Sequence, residues 1–364
     1  MKSKSSLERL QDLMHEQGTD LVVLWPSANW RYLVPFAPIA VERPTFLILS
    51  QNRMCAIVPE FDRQEFMTKT HLERVFSWSD AQGPIEAVHR AWEEVGGNLA
   101  QKLALDDTMP FLYFKTLEPH IRNKTTALAS HLLAELRGIK TDVEIAAIKK
   151  TAALIERVIY RSSRIFRLGM TEQEAEVKLR IELMEEGADT LDYVLVQACP
   201  NSASPHHLPG STVIKKGEPV LLDIALSKEG YYADITRQIS LGPPSEEYQK
   251  IFRIVRSAQA EAVNRVRPDI PVSEIDSAAR TTIENAGMGE FFNTRTGHGL
   301  GLEVHEPPSV WGGNTAILKP GMVFTIEPGI YLPGKFGVRI EDTVAVSNQG
   351  GQRLTESDRD LIII

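Results

Sequence analysis

Residues 219–241, PVLLDIALSKEGYYADITRQISL, consist of two apolar runs with a short polar stretch between them. Each run has the length and composition of a buried β-strand and SKEG supplies a turn, so the segment predicts a β-hairpin. One carboxylate interrupts each run, Asp223 in the first and Asp234 in the second. A turn centred on Lys228 and Glu229 would set these aspartates opposite each other, with Cβ atoms roughly 5 Å apart. Such a buried pair persists if it shares a proton or binds a cation, whereas an offset turn would leave one aspartate on the surface.

The same arrangement recurs in residues 322–347, MVFTIEPGIYLPGKFGVRIEDTVAVS. This segment predicts two strands joined by a turn centred on Gly334, which would place Glu327 opposite Glu341. Two hairpins that each oppose carboxylates inside apolar strands are hard to explain as surface charge. Four converging carboxylates need cations, and hard oxygen ligands favour Mg²⁺, Ca²⁺ or Mn²⁺.

Histidines in two further segments supply candidate nitrogen ligands. In TGHGLGLEVHEPP, residues 296–308, His298 stands between glycines, which allow the backbone to approach a site closely. His305 follows in the same segment, and His206 lies in NSASPHHLPG. An imidazole ligand shifts the preference toward Mn, Co, Zn or Fe. Together with the four carboxylates, these segments predict a metal centre.

The first third of the chain predicts an alternating α/β pattern without chemistry-bearing motifs. Residues 6–17 space their leucines as in an amphipathic helix. Three apolar runs then predict strands, with a hairpin turn at QNR between the last two: 20–25, 45–50 and 54–59.

Two helix starts carry capping boxes, Thr141 with Glu144 and Thr171 with Glu174. From about residue 190 the pattern becomes strand-rich and stays so to the C-terminus. A length of 364 residues suits two domains, and we place them at 1–128 and 129–364.

Charge and hydropathy exclude two classes of partner. The net charge is −8 and no Lys/Arg-rich run occurs, which argues against a nucleic-acid binder. No run of about 18 apolar residues occurs and the N-terminus lacks an apolar signal segment, so we expect no membrane partner and a cytoplasmic protein. The two cysteines lie far apart and are interpreted as reduced thiols.

Five segments, in this chain order, resemble the M24 metallopeptidases, the pita-bread family of Xaa-Pro peptidases and methionine aminopeptidases: PNSASPHH, LLDIALSKEGYYADITRQISLG, TGHGLGLEVHEPP, MVFTIEPGIY and GVRIEDTV. Residues 6–36 resemble the non-catalytic domain of creatinase, prolidase and aminopeptidase P, which methionine aminopeptidases generally lack. The resemblance implies an α+β chain in which a creatinase-like N-terminal α/β domain precedes a C-terminal pita-bread catalytic domain.

The resemblance implies five ligands for two divalent metal ions, most simply Mn²⁺, with Co²⁺ or Zn²⁺ as alternatives. Asp223 would bind one ion, and His298 and Glu327 the other. Asp234 and Glu341 would bridge the two. The ions would share a water and lower its pKa, so that a hydroxide attacks the scissile carbonyl.

The resemblance also implies catalytic roles beside the metals. His206 and His305 would donate hydrogen bonds to the substrate and the tetrahedral intermediate, and Glu327 would shuttle the water proton to the leaving amine. Arg295 and Arg339 are candidates to meet the substrate carboxylate, and Arg339 could instead pair with a bridging carboxylate.

The function implied is cleavage of the Xaa-Pro bond of small peptides with proline at the second position, by a homodimer. The leading hypothesis is a prolidase-like dipeptidase. Aminopeptidase P and a creatinase- or ectoine-hydrolase-like small-amide hydrolase stay open as alternatives. A non-catalytic binding protein on the same fold is disfavoured because all five metal ligands are present.

Overall fold

The computed structural model describes residues 5–39 and 41–364, and the chain divides into two compact units, Met1–Arg137 and Gly138–Ile364. The boundary predicted at 128/129 precedes helix Ser130–Gly138, whereas the units divide at the end of this helix. Leu132, Leu133 and Leu136 of this helix are buried in a core of the first unit, so the helix packs there.

The first unit is a six-stranded mixed sheet with helices on both faces, in the strand order β4-β3-β2-β1-β5-β6. Its strands are β1 Leu21–Leu24, β2 Phe46–Ser50, β3 Met54–Pro59, β4 Val75–Trp78, β5 Lys102–Leu105 and β6 Thr125–Leu128. Its helices are α1 Ser6–Gln17, α2 Ala28–Leu33, α3 Glu60–Thr70, α4 Ile85–Glu94, α5 Phe111–Ile121 and α6 Ser130–Gly138. The predicted first helix, the three strands and the β2–β3 hairpin are confirmed.

Alternate residues of β1 enter different cores, as the two-residue period of a strand requires. Leu21 and Val23 pack with α4 and α5, whereas Val22 and Leu24 pack with α1, α2, α3 and α6. Both faces of the sheet are therefore covered around β1, which explains why β1, β2 and β3 are nearly continuous apolar runs.

The second unit contains two larger sheets and a short hairpin. Its strands are β7 Thr190–Ala198, β8 Pro219–Lys228, β9 Tyr231–Ser240, β10 Gly297–Gly299, β11 Glu306–Val310, β12 Val323–Ile326, β13 Gly329–Leu332, β14 Phe336–Arg339, β15 Asp342–Ser347, β16 Gly350–Arg353 and β17 Ile362–Ile363. One sheet has the order β17-β9-β8-β7 and the other β11-β10-β12-β15-β16, while β13 pairs with β14.

Helices cover the outer face of each sheet in the second unit. They are α7 Asp142–Tyr160, α8 Ser162–Ile165, α9 Glu172–Glu185, α10 Glu246–Arg265 and α11 Ser273–Asn285. Helices α7 and α9 share a core with β7, β8 and β9, and α10 and α11 share a core with β12 to β15. The capping boxes predicted for α7 and α9 are both present.

The strand-rich pattern predicted from about residue 190 to the C-terminus is interrupted, because α10 and α11 occupy most of residues 246–285. The helical period is visible in α10, whose buried residues include Ile251, Phe252, Val255 and Ala262. Charged residues fill the other face of this helix, so the segment lacks the continuous apolar run that marks the neighbouring strands. In the described part of the chain, no helix is both long and apolar enough to cross a membrane.

The inner faces of the two sheets meet. The backbone N–H of Glu341 donates to the carbonyl of Thr236 at 3.2 Å, and Thr343 Oγ1 donates to the carbonyl of Asp234 at 3.1 Å. These two hydrogen bonds join β9 to the start of β15 and to Glu341, the residue that precedes it. Polar side chains that alternate with the outer core residues therefore point into the space between the sheets.

Candidate metal centre

The β8–β9 hairpin places both of its aspartates on the inner face. Its two-residue turn consists of Glu229 and Gly230, with φ of 52° and 81°, as a type I′ turn requires. This turn lies one residue later than predicted, so Asp223 pairs with Thr236 and not with Asp234. The prediction that Asp223 and Asp234 lie directly opposite each other is wrong. Asp234 lies two residues before Thr236, the cross-strand partner of Asp223, so the two aspartates are diagonal neighbours on one face of the sheet.

The second hairpin keeps the predicted register. Thr325 pairs with Thr343 in one ladder and Ile330 pairs with Val338 in the other, and both registers correspond to a turn centred on Gly334. Glu327 and Glu341 lie between these two ladders, at the break where the strands change sheets. Both carboxylates can therefore project away from the backbone pairing and toward β8 and β9.

Strand β10 brings His298 against this cluster. A Cβ on Gly297 would lie 1.9 Å from the carbonyl oxygen of Thr325, so only glycine permits this close approach. The His298 backbone N–H donates to Thr325 Oγ1 at 3.0 Å. His298 Nε2 lies 3.2 Å from Glu327 Oε1 and 3.7 Å from Asp234 Oδ2. The imidazole therefore faces two carboxylates from different sheets.

Asp234, His298 and Glu341 each offer a ligand atom, and these atoms lie within 4.8 Å of one another. Burial, and then the neighbouring carboxylates, raise the pKa values of Asp234 and Glu341 well above their ordinary range. Asp234 Oδ1 and Glu341 Oε1 are buried and accept no hydrogen bond from any described residue. Burying a carboxylate oxygen without a hydrogen-bond donor costs free energy of folding. The three candidate ligand residues therefore fit a bound cation, which would supply the missing positive charge.

Within the described chain, Arg339 supplies the one guanidinium that contacts a carboxylate of the cluster. Its Nη2 lies 2.6 Å from Asp223 Oδ2, its Nε donates to Thr236 Oγ1 at 3.0 Å, and its Nη1 donates to Tyr331 Oη at 2.8 Å. The sequence suggested a pairing with a bridging carboxylate, whereas the structure pairs Arg339 with Asp223. Arg339 is buried, and its three guanidinium nitrogens are engaged with Asp223, Thr236 and Tyr331. Its guanidinium is therefore occupied within the chain.

Thr236 connects the two sheets at this point. Its Oγ1 lies 2.8 Å from Asp223 Oδ1 and 2.7 Å from Glu341 Oε2, and its one proton serves one carboxylate at a time. Four carboxylates thus face one guanidinium and one imidazole, which leaves an excess of negative charge in a buried site.

The remaining predicted residues lie on the exposed side of the cluster. The ring of His305 packs edge-to-face on His298, with 4.2 Å between centroids. Burial, and then the neighbouring His298, lower the pKa of His305 to about 4, and the charges of Arg295 and His206 act in the same direction. His206 and Arg295 are exposed, and Arg295 Nη1 lies 3.4 Å from Ser309 Oγ.

Sequence reasoning missed Tyr193, Thr236 and Thr325, which all touch the cluster; Thr325 Oγ1 donates to Glu327 Oε1 at 3.0 Å. Tyr193 on β7 donates its hydroxyl proton to Asp234 Oδ2. Burial, and then Asp234, raise the pKa of Tyr193 well above its ordinary value, so the hydroxyl keeps this proton. Thr236 could have been found from its same-face spacing after Asp234, whereas Tyr193 reaches the site only through the pairing of β7 with β8.

Comparison with known proteins extends over both units. Residues 146–348 match the metallopeptidase family M24, and residues 7–139 match the creatinase/prolidase N-terminal domain. The chain belongs to the metallopeptidase family M24 and is a peptidase. It is 33% identical over 354 residues to the probable dipeptidase PepE of Mycobacterium tuberculosis, covering 96% of this chain and 93% of that protein.

Two solved structures show the likeness in three dimensions. The recombinant prolidase from Thermococcus sibiricus has a TM-score of 0.94 and 39% identity, with 100% of both chains covered. The X-Pro aminopeptidase from Thermotoga maritima has a TM-score of 0.86 and 29% identity, with 98% of this chain and 99% of that chain covered. The family and the two-domain fold predicted from the motifs are confirmed.

Proposed function

We propose that the chain hydrolyses the Xaa-Pro bond of dipeptides or short peptides, using two divalent metal ions. The observation that carries this proposal is the buried cluster of four carboxylates and one imidazole, in which Asp234 Oδ1 and Glu341 Oε1 lack hydrogen-bond donors. The family matches support a divalent metal, and relatives named as prolidases and dipeptidases support the substrate class.

The proposed ligand set is the one expected from the sequence. Asp223 would hold one ion and His298 with Glu327 the other, and Asp234 and Glu341 would contribute to holding both. The convergence of Asp234, His298 and Glu341 within 4.8 Å supports a shared centre. Carboxylates combined with one imidazole favour Mn²⁺, with Co²⁺ or Zn²⁺ as alternatives. When bound, the two ions would lower the pKa of a shared water and polarise the scissile carbonyl.

Glu327 is the proposed proton shuttle. Its side chain is 19% exposed, whereas those of Asp223 and Asp234 are 7% and 2% exposed, so Glu327 is more accessible to water and substrate. Burial alone would raise its pKa, but the hydrogen bond and charge of His298, with Arg339, lower it to about 2. Glu327 is therefore ionised at neutral pH and can accept a proton and pass it to the leaving amine.

His305 and His206 are the proposed hydrogen-bond donors to the substrate carbonyl and the tetrahedral intermediate. The low pKa of His305, about 4, keeps its imidazole neutral at neutral pH. A neutral imidazole still offers one N–H donor and does not add a positive charge to repel the metal ions. Both histidines lie at the exposed side of the cluster, where a peptide can reach them.

The substrate carboxylate is assigned to Arg295. Its guanidinium is exposed, acts on His305 through its charge, and makes no ion pair with a described residue. An arginine that lacks an acidic partner can meet a carboxylate bidentately. Arg339, the other sequence candidate, is engaged with Asp223 and is proposed to orient that ligand instead.

A dipeptidase is favoured over aminopeptidase P. This choice is supported by the Thermococcus sibiricus prolidase and the Pyrococcus horikoshii dipeptidase, which are 39% and 35% identical to this chain. The small-amide alternative has no specific observation in its favour. We further propose that the protein is a homodimer and lies in the cytoplasm. Sedimentation of the purified chain tests the oligomeric state, and cell fractionation tests the location.

The test is a panel of Ala-Pro, Ala-Pro-Ala, Ala-Ala and creatine, assayed with added Mn²⁺. We expect kcat/KM for Ala-Pro to exceed that for Ala-Pro-Ala by about tenfold or more, equivalent to about 1.4 kcal/mol. Arg295→Ala should raise KM for Ala-Pro and remove this preference, whereas the control Arg267→Ala, an exposed arginine of the same unit, should not. Equal or better cleavage of Ala-Pro-Ala would favour aminopeptidase P, and cleavage of creatine alone would favour the small-amide alternative.

A further inference from the structure

The loop that carries His206 is held by buried side chains at its base. It connects β7 to β8 and contains one short 3₁₀ turn, Asn201–Ala203. The His206 side chain is exposed, so packing does not fix its position. Its placement therefore depends on how firmly the backbone of residues 199–210 is anchored.

Glu172, the first residue of α9, lies beneath this loop and is 0% exposed. Its Oε1 accepts hydrogen bonds from the backbone N–H of Ala198 at 2.7 Å and from Asn201 Nδ2 at 3.0 Å. Its Oε2 accepts the backbone N–H of Gly210 at 3.0 Å. Both oxygens of one carboxylate thus tie the entry of the loop to its exit.

Gln197 anchors the part of the loop that contains His206. It is also 0% exposed, and its Nε2 donates to the carbonyl of Pro205 at 3.2 Å and to that of His207 at 2.9 Å. These two carbonyls flank His206. His207 Nε2 additionally lies 3.5 Å from Glu172 Oε2.

A third contact joins the loop to the metal-site strand β14. The backbone N–H of Gly337 donates to Ser202 Oγ at 3.0 Å. A Cβ on Gly337 would lie 1.9 Å from the carbonyl oxygen of Ser202, so the loop sits directly on this strand. Arg339, which contacts Asp223, is two residues further along the same strand. The loop is therefore placed relative to both the helix α9 and the metal cluster.

We propose that Glu172 is a positioning residue, which holds the His206 loop so that the imidazole reaches the substrate carbonyl. The carboxylate makes no contact with the metal cluster, and its hydrogen-bonded partners all belong to the loop or its ends. This inference rests on the proposed function of His206. Misplacing a catalytic group by about 1 Å can cost about 10²-fold in rate, so a distant acid can control turnover in this way.

The test is a double-mutant cycle of Glu172→Gln and His206→Ala, with kcat, KM and metal content measured for each variant. In Glu172→Gln an amide N–H₂ replaces Oε2 and opposes the Gly210 N–H, so the loop loses its exit anchor. We expect kcat to fall about 10-fold to 10²-fold with metal content unchanged. Because Glu172 acts through His206, adding Glu172→Gln to His206→Ala should cause no further loss.

The control is Glu185→Gln, an exposed glutamate on the same helix, which should keep wild-type kcat. Additive losses in the cycle, or loss of metal from Glu172→Gln, would overturn the inference. If Glu172→Gln does not fold, Asn201→Ala removes one anchor with a smaller change and enters the same cycle.

Crystal structures of wild type and Glu172→Gln separate this inference from the proposed function. A displaced His206 imidazole in the variant supports the positioning role even if Ala-Pro is not a substrate. An imidazole in the wild-type position contradicts it.

Discussion

Glu341 and Asp342 are consecutive, buried acids whose surroundings are opposite. Asp342 accepts hydrogen bonds from Arg237 Nη2 at 2.8 Å and Thr355 Oγ1 at 2.8 Å, and Arg353 Nε lies 2.9 Å from it. Burial alone would raise its pKa, but the two arginines hold the pKa of Asp342 below its ordinary value. Glu341 has one oxygen near Thr236 and another without a donor, and burial raises its pKa.

The alternation of a strand explains how neighbours can differ so much. Asp342 points toward α10, where Gln259 Nε2 donates to it at 2.9 Å, and forms part of a completed ionic network. Glu341 points between the sheets. One acid is neutralised by the chain itself, and the other is neutralised by a proton or by a cation from outside the chain. The two networks touch, because Arg237 Nη1 donates to the backbone carbonyl of Glu341.

The largest expected effect is a loss of turnover, and it distinguishes Glu341 from Asp342. Glu341→Gln or Asp234→Asn should lower kcat for Ala-Pro by more than about 10³-fold, beyond the loss typical of one oxyanion donor, and should lower metal content. The measurements are steady-state kinetics and elemental analysis of the same samples. A variant with normal stoichiometry and normal rate would show that the residue is not a ligand.

Asp342→Ala should act on stability instead. Removing one partner from a buried ionic network typically costs about 3–5 kcal/mol, because Arg237 is left buried and unpaired. Urea denaturation should show this loss in both metal-bound and metal-free protein. An unchanged free energy of unfolding would contradict the structural assignment of Asp342.

The histidines should affect turnover without affecting metals. His305→Ala and His206→Ala should each lower kcat by about 10²–10³-fold, equivalent to about 3–4 kcal/mol, and keep both ions. Loss of metal from either variant would move that histidine into the ligand set.

The smallest effect is a pH dependence of opposite sign for the two acids. In metal-free protein the raised pKa of Glu341 gives stability that is present below its unfolded value near 4.5 and is lost as pH rises through the folded pKa. The lowered pKa of Asp342 gives stability that is present above 3.8 and is lost as pH falls through the folded pKa. Chelated Glu341→Gln should therefore have a higher Tm than chelated wild type at alkaline pH. A lower Tm there would show that the Glu341 charge is compensated within the chain.

The two hairpins show how far sequence can place such groups. Around Gly334 a single glycine with φ of 72° centres the turn, and the register of Glu327 and Glu341 follows from it. In SKEG several turn positions are possible. The type I′ turn at Glu229 and Gly230 lies one residue later than predicted, which moves each cross-strand partner by two residues. Residue types and spacing therefore predicted the ligand candidates, whereas the exact neighbours of Asp223 required the structure.

The groups that support the site were beyond sequence reasoning for a different reason. Tyr193, Glu172 and Gln197 come from α9 and β7, and they reach the site or its loop through long-range strand pairing and loop packing. A lone tyrosine, glutamate or glutamine has no spacing that points to a distant partner. Arg237 is likewise recognisable only from the acids and carbonyls that surround it.

The measurement that tests the central claim most directly is Ala-Pro hydrolysis in parallel with metal analysis, on protein dialysed against a strong chelator and then titrated with Mn²⁺. We predict that activity disappears with the bound metal and returns as two equivalents of Mn²⁺ bind per chain. Full hydrolysis of Ala-Pro by protein shown to be free of metal would contradict the account.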